Sequence, residues 1–551
     1  MNLARKLLIP LLALLALHVA CRKEVATPPD VMSHLPASTT VVLFGPSLLE
    51  ATAGVKGLAG ALQGPGSAAP GSNVPDVARD ISARLGFDPF TAEGLKAAGL
   101  DPAGAFALGL EPGGQGVMVL TVVDAKVALD TMARLAAQME RADKVKQEQV
   151  PGGLVTTYAR PFGSREIPVM SAAVVGTHLL VSADKEGAAR LARVLALKPG
   201  ESLHGHPLVK SAETLVPGVP VRFLVETRGA SGAGNEGKIA ERTLKHVLGG
   251  VALGAQGLKI TLHAALQDER RDAVMAALFP SGKAPAVLSL VDEDALVLGQ
   301  GHLVAERVKE IASSVDPGSV DRLKGQARQV GLEVDEDLLA LTDGHLAGAM
   351  YLTDAAELMA MVSGKANPRR ELLRMLPFVV VMRPKAGTTA DALVLAITER
   401  MKKRGMTVGP APDDKTVTVG ELPGGEVWRS YRIAVVGEQV LVGGGAAQRF
   451  HSALKRLRSG EKANVVLAAD GSEALGNGGS ALVIRMPAAT QRVDEVLAGN
   501  LGTDADALMI RNFLQKARGM MGRVGEVVLE MHPVDGAVRG VISVPLKTGT
   551  P

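Results

Sequence analysis

Residues 173–182 (AVVGTHLLVS) and residues 434–443 (AVVGEQVLVG) carry one pattern, 261 positions apart. In each segment an apolar run reaches a glycine, two polar residues follow, and an apolar triplet comes next. Apolar runs on either side of a glycine turn predict two strands of a hairpin, and the residues after the hairpin have the spacing of a helix. Similar strings at a fixed distance predict an internal duplication.

Other short strings repeat in the same order. Residues 103–108 (AGAFAL) match residues 347–352 (AGAMYL), and the strand at Val117 matches the one at Phe378. The distance between the copies varies, which we attribute to surface-loop insertions such as residues 64–72, because loops tolerate added length at small entropic cost.

The fold class predicted from these patterns is α+β, with two similar halves. The first repeat would cover residues 35–283 and the second residues 284–551. Helices alternate with hairpin strands, so we expect antiparallel sheets with helices packed on one face.

Apolar spacing predicts a helix in each of two further segments. Residues 126–144 place Leu129, Met132, Leu135 and Met139 on one side of a helix, at a spacing typical of a buried face. Residues 239–248 also have helical spacing and are predicted to form a short helix.

The amino terminus has the layout of a secretion signal. Arg5 and Lys6 precede an apolar run over residues 7–17, and Cys21 is the only cysteine of the chain. The apolar run is shorter than the roughly 20 residues that a membrane-spanning helix needs. These features predict a signal peptide over residues 1–20.

The junction at Val19, Ala20 and Cys21 resembles the lipobox of bacterial lipoproteins. That resemblance implies cleavage before Cys21, acylation (palmitate among the lipids) of its thiol and amino group, and a tether over residues 21–34. Two or more acyl chains hold a protein stably on a bilayer. Arg22 stands where some lipoproteins carry an aspartate for inner-membrane retention, so the resemblance favours the outer membrane, with the body in the periplasm.

Composition narrows the functional classes. The chain has 60 basic and 57 acidic side chains, and loss of the leader removes Arg5 and Lys6 from the basic set. A nearly neutral chain without basic runs lacks the charge that nucleic-acid binding requires. Only 3% of the residues are aromatic, which argues against a carbohydrate-binding surface.

A glycine-rich segment, residues 232–239 (GAGNEGKI), matches both GxGxxG and the GxxxxGK of a phosphate-binding loop. Ile239 stands where the second motif needs a Ser or Thr hydroxyl for Mg²⁺. Five residues also separate the preceding strand from the first glycine. A flexible glycine-rich insertion is therefore the preferred interpretation.

The remaining polar motifs do not assemble a catalytic or metal site. None of these motifs has the ligand spacing of a known site, so we interpret the histidines and acidic groups as turn or loop residues and the methionines as core. The motifs are His204 and His206, His302, His345, Asp292 to Asp294, Asp335 to Asp337, and Met520, Met521 and Met531. We therefore predict no catalytic residues, no metal and no cofactor.

The function predicted first is a non-enzymatic, lipid-anchored envelope protein with a structural or partner-binding role. Its partners would be the membrane, through lipid on Cys21, and an envelope protein, with no nucleic acid. Residues 35–37 (LPA) are similar to the start of predicted envelope lipoproteins of Gram-negative bacteria. The alternative is a binding protein for a small apolar or lipid ligand, held in a cleft between or within the repeats.

Overall fold

A computed structural model of the chain describes two compact units, divided between Ala265 and Leu266. The described residues are 30–63, 77–228 apart from 113 and 199, 240–279, 287–302, 340–351, 377–421, 430–461 apart from 446, 465–476, 479–498 and 521–547, with isolated positions between 304 and 310 and between 508 and 519. In this part of the chain no helix is both long and apolar enough to cross a membrane.

The first unit is built on ten antiparallel strands. They are β1 Val41–Gly45, β2 Phe106–Leu110, β3 Gly116–Thr121, β4 Lys144–Val150, β5 Gly153–Phe162, β6 Arg165–Val175, β7 His178–Ser182, β8 Val221–Glu226, β9 Leu244–Gly254 and β10 Gly257–Leu266. Their order across the sheet is β10-β9-β8-β1-β2-β3-β7-β6-β5-β4.

Helices cover both faces of this first sheet. They are α1 Leu48–Gln63, α2 Val77–Leu85, α3 Ala92–Ala97, α4 Ala125–Glu140, α5 Gly187–Leu195 and α6 Pro207–Leu215. One face, which we call the α4 face, packs Phe106, Leu120 and Val181 against α1, α3 and α4. The opposite α5 face packs Val119 and Leu180 against α5, α6 and the 3₁₀ turn Asp30–His34.

The second unit is built on ten further antiparallel strands. They are β11 Ala295–His302, β12 Thr342–Tyr351, β13 Phe378–Pro384, β14 Thr407–Pro410, β15 Val417–Glu421, β16 Ser430–Val436, β17 Gln439–Gly444, β18 Ser480–Arg485, β19 Glu526–Val534 and β20 Ala537–Pro545. Their order is β20-β19-β18-β11-β12-β13-β17-β16-β15-β14.

Helices lie on both faces of the second sheet as well. The described helices are α7 Asp268–Leu278, α8 Ala390–Lys403, α9 Ala447–Ser459, α10 Ala469–Gly476 and α11 Met486–Ala498, with a 3₁₀ turn at Val287–Ser289. The face that packs Ile433 and Val440 against α8 is called the α8 face here. On the other side, Leu298, Val381 and Leu441 pack against α9 and α10.

The α+β class with antiparallel sheets is confirmed, but the expectation of helices on one face is wrong. Strand side chains alternate between faces, so a strand with apolar residues at both parities must be covered twice. All five residues of β7 are buried, with Leu179 and Val181 on the α4 face and Leu180 on the α5 face.

The predicted helix over residues 239–248 is wrong in its second half. From Leu244 the chain is strand β9, in which Leu248 pairs with Leu224 and Val251 with Val221 of β8. Pairing with a distant strand outweighs a local periodicity that either structure could satisfy.

Candidate apolar binding site

A cavity of about 130 Å³ lies in the first unit, between the α4 face of the sheet and its helices. Its lining contains one charged residue, Glu140, and one hydroxyl, Thr52; the other lining residues are Leu48, Leu85, Phe87, Pro89, Leu95, Leu100, Met118, Leu120, Met132, Leu135, Ala136, Met139, Val169, Met170, Val181 and Ala183. The cavity is therefore an apolar site with two polar residues in its lining.

Helix α4 forms one wall because of where it begins and which side faces the sheet. Asp124 is its N-cap, and the Asp124 carboxylate accepts a hydrogen bond of 3.0 Å from the Val127 N–H. Met132, Leu135, Ala136 and Met139 then follow at intervals of three and four residues, which places them on one side of the helix. The sequence prediction of an apolar face is confirmed for the three of these residues that it named.

The opposite wall is the sheet, where alternation selects the lining residues. Met118 and Leu120 of β3 point to this face, whereas Val117 and Val119 lie in the core of the other face. Met170 of β6 and Val181 of β7 complete the wall.

A glycine allows α3 and α4 to approach each other. Gly99 has a φ of +80°, and a Cβ there would lie 2.4 Å from the Ala128 nitrogen. Any larger residue would be strained in this left-handed conformation and would push α4 away from the sheet. The position of α4 beside α3 thus depends on a backbone contact at Gly99.

The two polar lining residues differ in how their polar atoms are already paired within the protein. The Thr52 hydroxyl donates to the Leu48 carbonyl oxygen at 3.1 Å, so it is already used within α1. The Glu140 carboxylate forms an ion pair of 3.5 Å with Nη1 of Arg160 on β5, and their side chains are 20% and 38% exposed. Glu140 is therefore the charged residue of the lining, and it is paired with Arg160, which does not line the cavity itself.

Tyr158 lies beside this face without adding charge to it. Its hydroxyl donates to the Leu129 carbonyl oxygen of α4 at 3.1 Å. Burial, with a smaller contribution from the charge of Asp130, raises the pKa of Tyr158 to about 12. The phenol is therefore neutral near pH 7 and ties β5 to α4.

The size and lining of the cavity define what it can bind. An engineered apolar cavity of roughly 150 Å³ holds benzene without admitting water. Four methionines, Met118, Met132, Met139 and Met170, line the present cavity. Because methionine side chains adapt to irregular shapes, such a wall accepts hydrocarbon of more than one form.

Three of the sequence motifs lie outside the described residues. Cys21 and the leader precede residue 30, and the glycine-rich segment 232–239 falls in the interval 229–239. The acidic group Asp335 to Asp337 lies outside them too. The lipid anchor and the glycine-rich insertion therefore remain predictions.

The structure brings His302 and His345 together, contrary to their interpretation as turn residues. They pair across β11 and β12, both are buried, and their ring centroids are 4.5 Å apart. His345 Nδ1 lies 3.1 Å from the Asp343 carboxylate, which also accepts from Arg383 Nε at 2.6 Å. A β-bulge between Thr342 and Leu346 interrupts the pairing of β12 with β13 at this end of the strand. Because of this bulge, alternation along the sequence did not identify the histidine pair.

The other motifs have structural roles. His206 is the N-cap of α6, where its Nδ1 accepts from the Leu208 N–H at 3.4 Å. Asp292 is mostly buried and pairs with Arg449 and Arg456, so it is not a solvated turn. Met531 is 43% exposed, which corrects its assignment to the core.

Within the described ranges, no three His, Cys, Asp or Glu side chains are placed to hold a metal ion. The cavity itself was not predicted from the sequence. Its one signal there is the density of methionine on α4 and its neighbouring strands, which periodicity alone assigns to the core.

Comparison with known proteins adds little. No protein-family model matches the chain, and no curated protein matches it. Among solved structures, crystal form I of TP0453 matches with a TM-score of 0.25 and 10% identity, over 46% of this chain and 88% of that one. Crystal form III gives 0.25 and 10% over 47% and 91%, and form IV gives 0.23 and 12% over 47% and 93%. Scores this low carry no argument about function.

Proposed function

We propose that this chain is a non-enzymatic binding protein for a small apolar ligand, held at a membrane by lipid on Cys21. The observation that carries the ligand is the cavity on the α4 face, whose lining is apolar apart from Thr52 and Glu140. Ligand pockets of proteins combine such apolar walls with a few placed polar groups.

The proposal includes an internal duplication, supported by strand order. Among the described residues each sheet has ten strands, and the strands follow one another in the same spatial order relative to the chain. Registers agree in detail: Val155 pairs with Ala173 in the first unit, and Val417 pairs with Ala434 in the second. Ala173 and Ala434 are the residues that the repeated string aligns.

The experiment for ligand binding is titration of the full chain with benzene, followed by calorimetry. Ala136→Met should abolish the binding heat, because the longer side chain enters the cavity. Ala453→Met makes the same change at a buried alanine of α9 that does not line the cavity, so its binding should match the wild type. Absence of binding to the wild type, or equal binding by Ala136→Met, contradicts the proposal.

The membrane anchor has its own test. Metabolic labelling with a palmitate analogue should mark the wild-type chain, and Cys21→Ser should remain unlabelled because it lacks the acylated thiol. An unlabelled wild type would contradict the anchor and would leave the ligand proposal standing.

A partner-binding role is the second candidate, favoured by an exposed apolar set on the β4–β6 hairpins. Phe162, at the tip of β5, is 68% exposed, and Val145 and Leu154 are also exposed. Exposed apolar side chains on adjacent strands are candidates for a protein interaction surface. Phe162→Ser should reduce co-purification of an envelope protein without changing benzene binding; unchanged co-purification would contradict this role.

A further inference from the structure

Strand β4 is an open edge of the first sheet. Its residues, Lys144–Val150, pair with β5 on one side, and among the described residues no strand pairs with its other side. All of them except Val150 are exposed. Because an edge strand presents unpaired N–H and C=O groups, another strand can add to it.

The corresponding edge of the second sheet is protected against such pairing. Strand β14 has four residues, Thr407–Pro410, and it contains Gly409 and ends at Pro410. Short length and a proline, which lacks an N–H, are common protections of an edge strand. Strand β4 is longer and has neither glycine nor proline, so its lysines are its main protection.

The charges of β4 are complementary to those of a second copy of the same strand. Lys146 and Glu148 stand on either side of Gln147. In antiparallel pairing about a twofold axis at Gln147, Lys146 of each copy lies opposite Glu148 of the other, which is favourable across strands. Within one chain these two groups are 3.9 Å apart and remain 76% and 61% exposed.

The backbone selects the same register. Val150 and Gly153 pair across a two-residue turn, and the residues that close such a turn are hydrogen-bonded to each other. Alternation then directs the N–H and C=O groups of Val145, Gln147 and Gln149 to the open edge. An axis at Gln147 pairs these residues among themselves, whereas an axis at Lys146 or at Glu148 would oppose like charges.

We infer that the chain forms a symmetric dimer through β4, in which the first sheet continues into that of a second copy about an axis at Gln147. Val145 and Leu154 are 58% and 42% exposed. Gln149, which pairs with Leu154 within the chain, then faces Val145 of the second copy, so the pairing covers part of both apolar side chains. The inference does not rest on the cavity or its ligand.

A single cysteine at the axis tests the register, in the full chain with Cys21→Ser, which otherwise has no thiol. Residues of a hydrogen-bonded antiparallel pair have Cα atoms about 5.5 Å apart, within the range of a disulfide. Gln147→Cys should therefore form a disulfide-linked dimer under mild oxidation.

Gln149→Cys is the matched control, because it lies on the same strand and face. Its counterpart in the dimer is about 13 Å away along the strand, so it should remain monomeric. Absence of the linked dimer in Gln147→Cys, or equal linkage in Gln149→Cys, overturns the inference.

Charge reversal tests the pairing without a covalent link. One strand is a small interface, so we expect a dimer that dissociates on dilution, and sedimentation of the Cys21→Ser chain should detect it up to about 1 mM. Lys146→Glu and Glu148→Lys each oppose like charges at two symmetric places and should each weaken the dimer about tenfold.

An equal mixture of these two variants should associate as tightly as the chain with both native charges, because every opposed pair then has opposite signs. This recovery also shows that both variants are folded. A monomer at all concentrations, or a mixture that associates no better than each variant alone, would contradict the dimer.

Discussion

Helices α4 and α8 occupy corresponding places in the two units, yet they present different faces. Each begins with a side-chain N-cap, Asp124 bonding Val127 in the first unit and Thr389 bonding Ala392 in the second. Counting from these caps, Ala136 of α4 corresponds to Met401 of α8. Leu135 and Met139, which line the cavity, correspond to Arg400 and Arg404.

On the strands opposite these helices the difference in residue size is reversed, with the larger residue in the first unit. In register, Tyr158 of β5 corresponds to Gly420 of β15. A Cβ at Gly420 would lie 2.6 Å from the Met401 sulfur, so the glycine makes room for the methionine. The first unit instead combines a large strand residue with a small helix residue, Ala136.

This difference explains how the same strand order accommodates a cavity in the first unit and a packed core in the second. Protein interiors are close-packed. Exchanging a large and a small residue between a strand and the helix packed on it therefore preserves the core only where both positions change together. Arg400 of α8 and Arg404 at its C-cap stand where α4 has apolar residues, and the buried apolar residues of α8 are Leu393, Ile397 and Met401. Helix α4 thus borders a cavity, whereas α8 packs its apolar residues into a core.

The largest expected effect is on the packed helix. Met401→Ala should lower the free energy of unfolding by about 2–5 kcal/mol, the usual range for truncating a buried methionine. Met132→Ala should cost at least about 1 kcal/mol less, because Met132 borders an existing cavity and loses fewer contacts. Hydrogen exchange of peptides from each helix measures both losses of stability. Equal losses would contradict the difference in packing between the two helices.

Ionisation of tyrosine should report burial in both units. Burial raises the pKa of both Tyr158 and Tyr351 to about 12. A folded-state pKa above the unfolded value of about 10 makes stability decline as pH rises from about 10 to 12. Two of the three tyrosines should therefore ionise near pH 12 by ultraviolet absorbance, and near pH 10 in denaturant.

Single Phe variants assign these two titrations and test the two hydrogen bonds. Tyr158→Phe should cost about 1 kcal/mol, because its hydroxyl donates to Leu129 across the core. Tyr351→Phe should cost less, since its oxygen accepts a longer bond, 3.4 Å, from the Asp292 N–H. A folded-state titration of either tyrosine near pH 10 would contradict its burial.

The helix caps provide a matched pair. Asp124→Ala and Thr389→Ala each remove one N-cap and should each cost about 1 kcal/mol. Only Asp124→Ala should also weaken benzene binding, because it loosens the helix that covers the cavity. Equal affinity in both variants, measured by calorimetry, would argue that α4 does not form the site.

The smallest change in stability is expected for Ala136→Met. The added side chain can occupy the cavity, so we expect a change within about 1 kcal/mol, against the 1–3 kcal/mol typical of overpacked cores. Thermal unfolding compared with Ala453→Met checks this, since Ala453 lies in the densely packed α9 layer. A larger loss at Ala136 than at Ala453 would show that no usable space exists there.

Sequence reasoning reached the α+β class and the face of α4 because both depend on local periodicity. It did not reach the covering of both sheet faces, although the unbroken apolar runs VMVL at 117–120 and LLV at 179–181 contain that information. It also missed strand β4, whose residues are nearly all exposed and polar and whose structure depends on pairing with β5.

The candidate site could not be predicted from the sequence. Leu48, Met118, Met170 and Ala136 are far apart along the chain, and only the tertiary fold places them around one space. Comparison of α4 with α8, residue by residue from their caps, would have pointed to the first unit.

The most direct test is methyl NMR of methionine-labelled protein during titration with benzene. We predict shifts at Met118, Met132, Met139 and Met170, which line the cavity, with none at Met382, Met401 and Met406 of the second unit. Unchanged signals from the first four, or equal shifts in both sets, would contradict the assignment of a ligand site to the first unit.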